Sequence, residues 1–380
     1  MFGSKAVVGL DIGSHKVKAV QLKKKGNTLE LERFGVADIY PNGDRTAASG
    51  DPRQLKIQAV QRALNDGKIS AKHCVSAVSG ESIIVRYIQL PQMPEQELKN
   101  ALRWEAEEYI PFHIDEVNLD SVILGTSSAE GKVDVLLVAA KKDLVNDHLE
   151  VVKATGLTPV IVDVDSFAFL NCFEAVYRPS HQDCVALVNV GAQITNINIY
   201  VGGTSRFARD INVAGDAITT AIAQKTGVTN GKAEDLKRTL GAPTPETKEP
   251  TEEEESSLIS SIRGTVQRMT GSDMDDEGLD SGSQKAIRNV LTNLIGEIRR
   301  SVQFFENQSG GATVQNLVIG GGSSRMANLA AYLSSELELN VEVFDPLRGI
   351  SLGPGLGQQQ FNDAKEHLAV GIGLALRKVV

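Results

Sequence analysis

Val7-Val8-Gly9-Leu10-Asp11-Ile12-Gly13-Ser14 runs an apolar strand into a polar residue and a glycine turn, and Ala186-Leu187-Val188-Asn189-Val190-Gly191-Ala192-Gln193 repeats that arrangement later in the chain. A second strand follows each turn, Val17 to Leu22 and Ile194 to Val201, so both stretches read as hairpins. The glycine lets the backbone approach a ligand closely, and amide groups in such a turn converge on an anion. Asp11 is suited to hold a cation or its water beside phosphates. Taken singly, strand-Asp-x-Gly also occurs in purely structural hairpins. A third cluster, Leu317-Val318-Ile319-Gly320-Gly321-Gly322-Ser323, again takes a strand into glycines, with a helix expected from Met326 to Leu337. A helix N-terminus behind glycines favours an anion or nucleotide. Three such signals in order suggest two halves clasping one phosphate chain.

These residues resemble the actin/hexokinase/Hsp70 superfamily: the first hairpin its first phosphate loop, the second its second phosphate loop, and Gly320-Gly321-Gly322-Ser323 its adenosine loop. Ala101-Leu102-Arg103-Trp104-Glu105-Ala106-Glu107-Glu108-Tyr109-Ile110-Pro111-Phe112 resembles the helix and Ile-Pro-Phe signature of the PilM family of type IV pilus assembly, related to FtsA. Gly215-Asp216-Ala217-Ile218-Thr219, Ala233-Glu234-Asp235-Leu236-Lys237, Glu297-Ile298-Arg299-Arg300-Ser301 and Ala369-Val370-Gly371-Ile372-Gly373-Leu374-Ala375-Leu376-Arg377 are similar to the same family. Together they span nearly the whole chain.

The alternation of strands and helices predicts an α/β fold with mixed sheets and a cleft between two domains. The resemblance makes this an actin-like (ribonuclease H-like) fold. Residues 1–183 would form its first domain, with 81–155 as an inserted partner-binding subdomain. Residues 184–350 would form the second, with a helical subdomain over 226–308, and 351–380 would return to the first. The resemblance further implies ATP and Mg²⁺ as ligands. Backbone amides around Gly13, Ser14 and His15, with Lys18 as a point charge, would hold the β-phosphate side, and Asp11 would face the Mg²⁺ water shell. Asn189, Gly191, Ala192 and Gln193 would close from the other side, and Gly215 belongs to the same set. Glu234 and Lys237 would meet the ribose and base; their spacing places them on one helix face, which equally suits an ordinary solvated ion pair.

Asn189 departs from the family, which usually has aspartate at this point of the loop. A neutral amide binds water but brings no charge to Mg²⁺ or to an attacking water, and positioning and electrostatics are nearly all of phosphoryl-transfer catalysis. Nucleotide binding is therefore expected to survive better than hydrolysis, leaving at most a weak ATPase. A small-molecule kinase would need a carboxylate base; Asp163 and Asp165 are nearest, and they read as caps of the following helix. The leading expectation is a cytoplasmic adaptor that docks a short peptide of a membrane-anchored pilus assembly protein, with an FtsA-like filament as the alternative. In the helix Glu95 to Ile110, Leu98, Leu102 and Tyr109 form the expected core stripe, and Trp104, the only tryptophan, lies off it. Trp104, Ile110, Pro111 and Phe112 are the candidate partner residues, with a second core contact as the plainer reading for Trp104.

Composition fits this picture. A length of 380 residues with 41% hydrophobic content supplies cores for two domains. The three cysteines, Cys74, Cys172 and Cys184, and six scattered histidines show no metal or disulfide spacing. No stretch reaches the roughly 20 apolar residues of a spanning helix, and the chain ends soon after Arg377, so membrane contact is expected only through a partner at the inner membrane. Of the net charge of -9, most comes from residues 243–283, which carry eleven acidic and three basic residues. The remainder is near neutral and advertises no nucleic-acid surface. Residues 243–257 are rich in proline and poor in apolar residues, a composition expected of a mobile loop. Ile287, Leu291, Leu294, Ile298, Val302 and Phe305 predict a long amphipathic helix after it. Lys23-Lys24-Lys25-Gly26-Asn27 fits a hairpin turn better than a polyanion site.

Overall fold

The computed structural model describes residues 6–26, 28–40, 45, 49–126, 131–245 and 274–379. The proline-rich acidic stretch from residue 246 to 273 lies outside them. The chain opens with β1 (Val7–Ile12), β2 (Lys16–Lys25) and β3 (Thr28–Asp38), followed by α1 (Pro52–Asp66) and β4 (His73–Val78). Next come β5 (Ile83–Pro91), α2 (Glu95–Tyr109), β6 (Val117–Thr126), β7 (Lys132–Lys141) and α3 (Lys142–Ala154). β8 (Thr158–Val164) and α4 (Asp165–Tyr177) return to the trunk, and β9 (Cys184–Val190), β10 (Thr195–Val201) and β11 (Thr204–Ile211) begin the second half. That half continues through α5 (Gly215–Thr226), α6 (Asn230–Leu240), α7 (Met274–Gln308), β12 (Asn316–Gly320), α8 (Leu329–Leu337) and β13 (Asn340–Val343). β14 (Ile350–Leu352), α9 (Gln358–Ala364) and α10 (Ala369–Val379) close the chain.

The halves share one topology. The first sheet runs β14-β3-β2-β1-β4-β8 and the second β11-β10-β9-β12-β13. In both, two antiparallel pairings from the opening hairpins are followed by two parallel ones. β1 is buried over Val7 to Asp11, as a central strand with both faces covered requires. The lysine run lies further into the strands than its composition suggests: β2 extends to Lys25 and β3 resumes at Thr28, leaving the turn to begin at Gly26, whose φ of 61° needs glycine.

α4 and α10 lie between the sheets and join them into one core with Val20, Leu22, Val185, Leu187 and Val318. Their approach depends on missing side chains. A Cβ at Gly373 would stand 1.7 Å from the Ala168 carbonyl oxygen, and one at Gly9 would stand 2.1 Å from that of Gly371. Phe169 of α4 is fully buried, its ring against Gly320 at the end of β12.

The insertion between β4 and β8 forms its own sheet, β5-β7-β6. Leu102 and Ala106 of α2, followed by Ile110, pack on one face with Leu90, Val135 and Leu137. Tyr109 is a correction to the expected stripe: it is exposed, because burial follows the four-residue steps 102, 106 and 110 and leaves Tyr109 at the margin. The Leu98 side chain lies outside the described residues. On the opposite sheet face, Ile83, Val85 and Val138 meet Val78, Val164, Phe167 and Ala208 of the trunk.

Candidate functional site

The two glycine hairpins and the third glycine loop meet around one cleft of about 900 Å³. Its wall includes Asp11, Gly13, Ser14, His15 and Lys18 from one side and Asn189, Gly191, Ala192, Gly215, Glu234, Lys237, Gly321, Gly322 and Ser323 from the other. Gln193 and Gly320 are absent from this lining; Gly320 instead receives the Phe169 ring. The α-helix expected directly behind the glycines starts later: Gly322–Arg325 form a single 3-10 turn, Asn328 takes a left-handed φ of 63°, and α8 begins at Leu329. An anion approaching this loop would thus meet backbone amides without a long helix dipole behind them.

Polar contacts stitch the loops together. Gly13 N donates to Lys16 O at 3.1 Å, closing the first turn, and Gly191 N donates to Ile194 O at 3.0 Å, closing the second. Ser323 Oγ donates to Gly191 O at 2.9 Å, and Gly215 N donates to the same oxygen at 3.1 Å. Across the cleft, His15 Nε2 lies 2.9 Å from an Asp216 carboxylate oxygen. Lys18 Nζ is 2.9 Å from Asp11 Oδ2, both side chains nearly enclosed. Their pairing holds a cation and a carboxylate side by side at the loop that a phosphate chain would approach.

Neither Asp163 nor Asp165 caps α4, contrary to the reading of the sequence: Val164 occupies the N-cap position without a side-chain hydrogen bond, and Asp165 lies in the cleft wall. Asp163 accepts from Val164 N, its chain neighbour, at 2.8 Å and from Arg377 Nε at 2.6 Å. Strand alternation would put both carboxylates on one face, but the helix begins between them and turns the second away. Burial first, and then the negative charge of Asp11, push the Asp165 carboxyl well above the usual range, against the Ser79 hydrogen bond and Lys18. Two mutually repelling carboxylates suit Mg²⁺, which uses one or two carboxylates and completes its shell with water and phosphate oxygens. Among the described residues, no cluster of three or more His, Cys, Asp or Glu side chains could hold a metal unaided.

Asn189 is engaged away from this pair. Its Nδ2 donates to Asn196 Oδ1 at 2.9 Å; Asn196 Nδ2 donates to Asp210 Oδ1 at 2.7 Å; and Gly80 N donates to Asp210 Oδ2 at 2.7 Å. This chain reaches from the second loop to the point where the insertion leaves the trunk. Glu234 and Lys237 form a half-buried network. Lys237 Nζ reaches Glu234 Oε2 at 2.5 Å, Thr219 Oγ1 at 3.0 Å and Gly215 O at 3.2 Å, tying α6 to the start of α5. Burial alone would raise the Glu234 carboxyl, but the Lys237 ammonium and hydrogen bonds from Lys237 and Thr219 hold it below its ordinary value.

The candidate partner residues separate. Trp104 is 74% exposed and Pro111 is exposed, Ile110 is core, and Phe112 is half-buried beneath the Lys141 ammonium, 4.2 Å from its ring centroid. A smaller cavity of about 220 Å³ lies between the insertion and the trunk, lined by Ile83, Val85, Val164 and Ala208 together with Glu81, Arg86 and Arg209. Beside it, the Tyr87 and Ser205 hydroxyls are 2.5 Å apart and Arg206 Nη1 donates to Asp134 Oδ2 at 2.9 Å, clamping the insertion to β11.

Duplicated strand order, two facing glycine hairpins and an interdomain cleft define an actin-like protein. The model of the type IV pilus assembly protein PilM family matches residues 9–281 and 283–379, and the chain belongs to that family. It superposes on the PilM-PilN type IV pilus biogenesis complex with a TM-score of 0.76 and 28% identity, covering 98% of each chain. It is also 24% identical over 258 residues to the cell division protein FtsA of Escherichia coli strain K12, covering 61% of this chain and 60% of that protein. FtsA of Staphylococcus epidermidis is 23% identical over 269 residues, which cover 62% of this chain and 54% of that protein. The chain thus spans between half and two thirds of the FtsA proteins it matches. No helix among the described residues is long and apolar enough to cross a membrane.

Proposed function

We propose that the cleft binds ATP with Mg²⁺, hydrolyses it slowly or not at all, and thereby fixes the arrangement of an adaptor in type IV pilus assembly. The observation that carries this reading is the convergence of three glycine loops and the Asp11-Lys18 pair on one cleft. Loop amides and Lys18 would bind phosphate oxygens, Asp11 and Asp165 would hold Mg²⁺ directly or through water, and the Glu234-Lys237 network would lie beside the nucleoside. Bound Mg²⁺ would supply charge neutralisation of the phosphates. Weak hydrolysis follows from Asn189, whose amide donates to Asn196 and offers no base.

The adaptor role rests on the family and on the cavity beside the insertion. A short peptide of a membrane-anchored assembly protein, equivalent to PilN in the similar complex, would insert apolar side chains against Ile83, Val85 and Ala208. On this reading the protein would work on the cytoplasmic side of the inner membrane, held there by its partner. Calorimetric titration with ATP, with and without Mg²⁺, tests the nucleotide reading. Micromolar binding that requires Mg²⁺ and disappears in Asp11→Ala supports it; no heat in either condition overturns it. Anisotropy of the labelled partner peptide, compared with Ile83→Asp, tests the docking site. ATP-dependent self-assembly without a partner would instead favour a filament.

A further inference from the structure

A side-chain contact crosses the cleft between the two hairpin loops. His15 belongs to the first glycine turn, between β1 and β2, and Asp216 to the first turn of α5. The imidazole Nε2 lies 2.9 Å from one Asp216 carboxylate oxygen and 3.1 Å from the other. The two residues are 201 positions apart and come from opposite halves of the molecule. Both line the cleft, with 27% and 29% of their side-chain surface exposed.

Each end of the contact is anchored. Ile39 N donates to His15 O at 2.8 Å, and the His15 ring meets the buried Tyr40 ring edge to face, with centroids 5.8 Å apart. Lys16, the next residue, pairs with Asp38 on its own sheet and leaves the reach across the cleft to the imidazole. On the other side, Asp216 N donates to Ala192 O at 2.7 Å and Gly215 N to Gly191 O at 3.1 Å, so the start of α5 is fixed to the second glycine turn. The His15-Asp216 contact therefore ties one glycine turn to the other. A neutral imidazole donates an N–H to a carboxylate and a protonated one adds charge, so either form makes the bond. Two further contacts between the halves hold other elements. Arg325 Nη1 donates to Asp363 O at 2.9 Å behind the third glycine loop, and Gly80 N donates to Asp210 at the start of the insertion.

We propose that His15 and Asp216 form a latch that closes the two glycine turns over a nucleoside polyphosphate, so that the ligand enters and leaves only when the latch opens. The proposal rests on the nucleotide reading and adds to it two positioning side chains and a kinetic role. A ligand clasped between two loops departs when the loops part, and parting them here breaks a hydrogen bond to a carboxylate. The same bond must break before a ligand enters. The latch thus slows entry and release together, and it shifts the dissociation constant less than either rate. An imidazole that bound phosphate directly would behave differently. It would slow release alone, and Asp216 would compete for it.

The test is stopped-flow fluorescence of the full chain with Mg²⁺-ADP carrying a fluorophore on the ribose, release being followed by a chase of unlabelled Mg²⁺-ADP. Wild type is compared with His15→Ala, Asp216→Asn, the double variant and His15→Gln. His15→Ala and Asp216→Asn are each expected to speed both association and release about five- to thirty-fold, as loss of a hydrogen bond to a charged group allows. The double variant should be no faster than either single one, because all three lose the same bond. His15→Gln keeps an amide donor near the Nε2 position and is expected to stay within about twofold of wild type. Should His15→Ala fold poorly, Asp216→Asn and His15→Gln carry the comparison. Unchanged release in the variants that lose the bond, with binding retained, overturns the latch and leaves the nucleotide reading intact. Slower release from Asp216→Asn, or faster release from His15→Ala at an unchanged association rate, also overturns it and makes His15 a direct phosphate ligand. No binding to folded wild type overturns both.

Discussion

Asn189 and Asp165 show how one side chain's partners decide its chemistry. Asn189 spends its amide donor on Asn196, so an aspartate there would set a carboxylate against the Asn196 oxygen; turning the Asn196 amide over would then strip Asp210 of its donor. Asn189→Asp is expected to cost about 1–3 kcal/mol in urea unfolding, the usual penalty of an unsatisfied buried polar group, without restoring ATP hydrolysis. Asp165 behaves in the opposite way. Its folded-state affinity for a proton is raised, so its contribution is favourable at low pH and is lost as pH rises through the raised value. Asp165→Asn removes that burden. The variant is expected to melt higher than wild type at pH 8, with the advantage shrinking toward pH 5, and to lose any residual Mg²⁺-ATPase activity.

Among the elements, α10 and α2 contrast in what they bury. α10 joins the sheets because glycines let its backbone touch β1 and α4, and Gly373→Ala would drive a methyl group into the Ala168 carbonyl. The expected loss is at least about 2 kcal/mol, toward or beyond the upper part of the range for overpacked cores because backbone rather than side chain must move. α2 buries Leu102 and Ala106 and turns Trp104 to solvent. Leu102→Ala should cost about 2–5 kcal/mol by cavity formation, whereas Trp104→Ala should stay within about 0.5 kcal/mol. Chemical denaturation of the two variants checks this. A large loss at Trp104 would mean that its ring has a structural partner.

At the scale of the whole molecule, the cleft exists only when both halves are folded and joined through α4 and α10. A ligand that binds this folded arrangement stabilises it by mass action, by about 2.7 kcal/mol at a hundred times its dissociation constant. Mg²⁺-ATP is therefore expected to raise the melting temperature, and Asp11→Ala is expected to lose the Mg²⁺-dependent part of the rise. The insertion is fastened to the second half through Tyr87-Ser205 and Arg206-Asp134. Its melting should accordingly follow that of the trunk.

The sequence by itself determined the duplicated architecture and most of the glycine cleft. Buried strands, glycine turns and amphipathic helices are local patterns, and the residues around Asp11, Asn189 and Gly321 carry both the turn and the cleft wall. The hairpin lengths, the late start of α8 and the exposure of Tyr109 departed from that reading because neighbouring packing sets where an element ends and which margin is covered. Tertiary structure alone decided the place of Asp165 in the cleft wall. Asp165 reads as an ordinary residue at a helix start until Asp11, distant in sequence, is brought beside it. Charge and desolvation act through space, and the fold chooses which distant groups share that space.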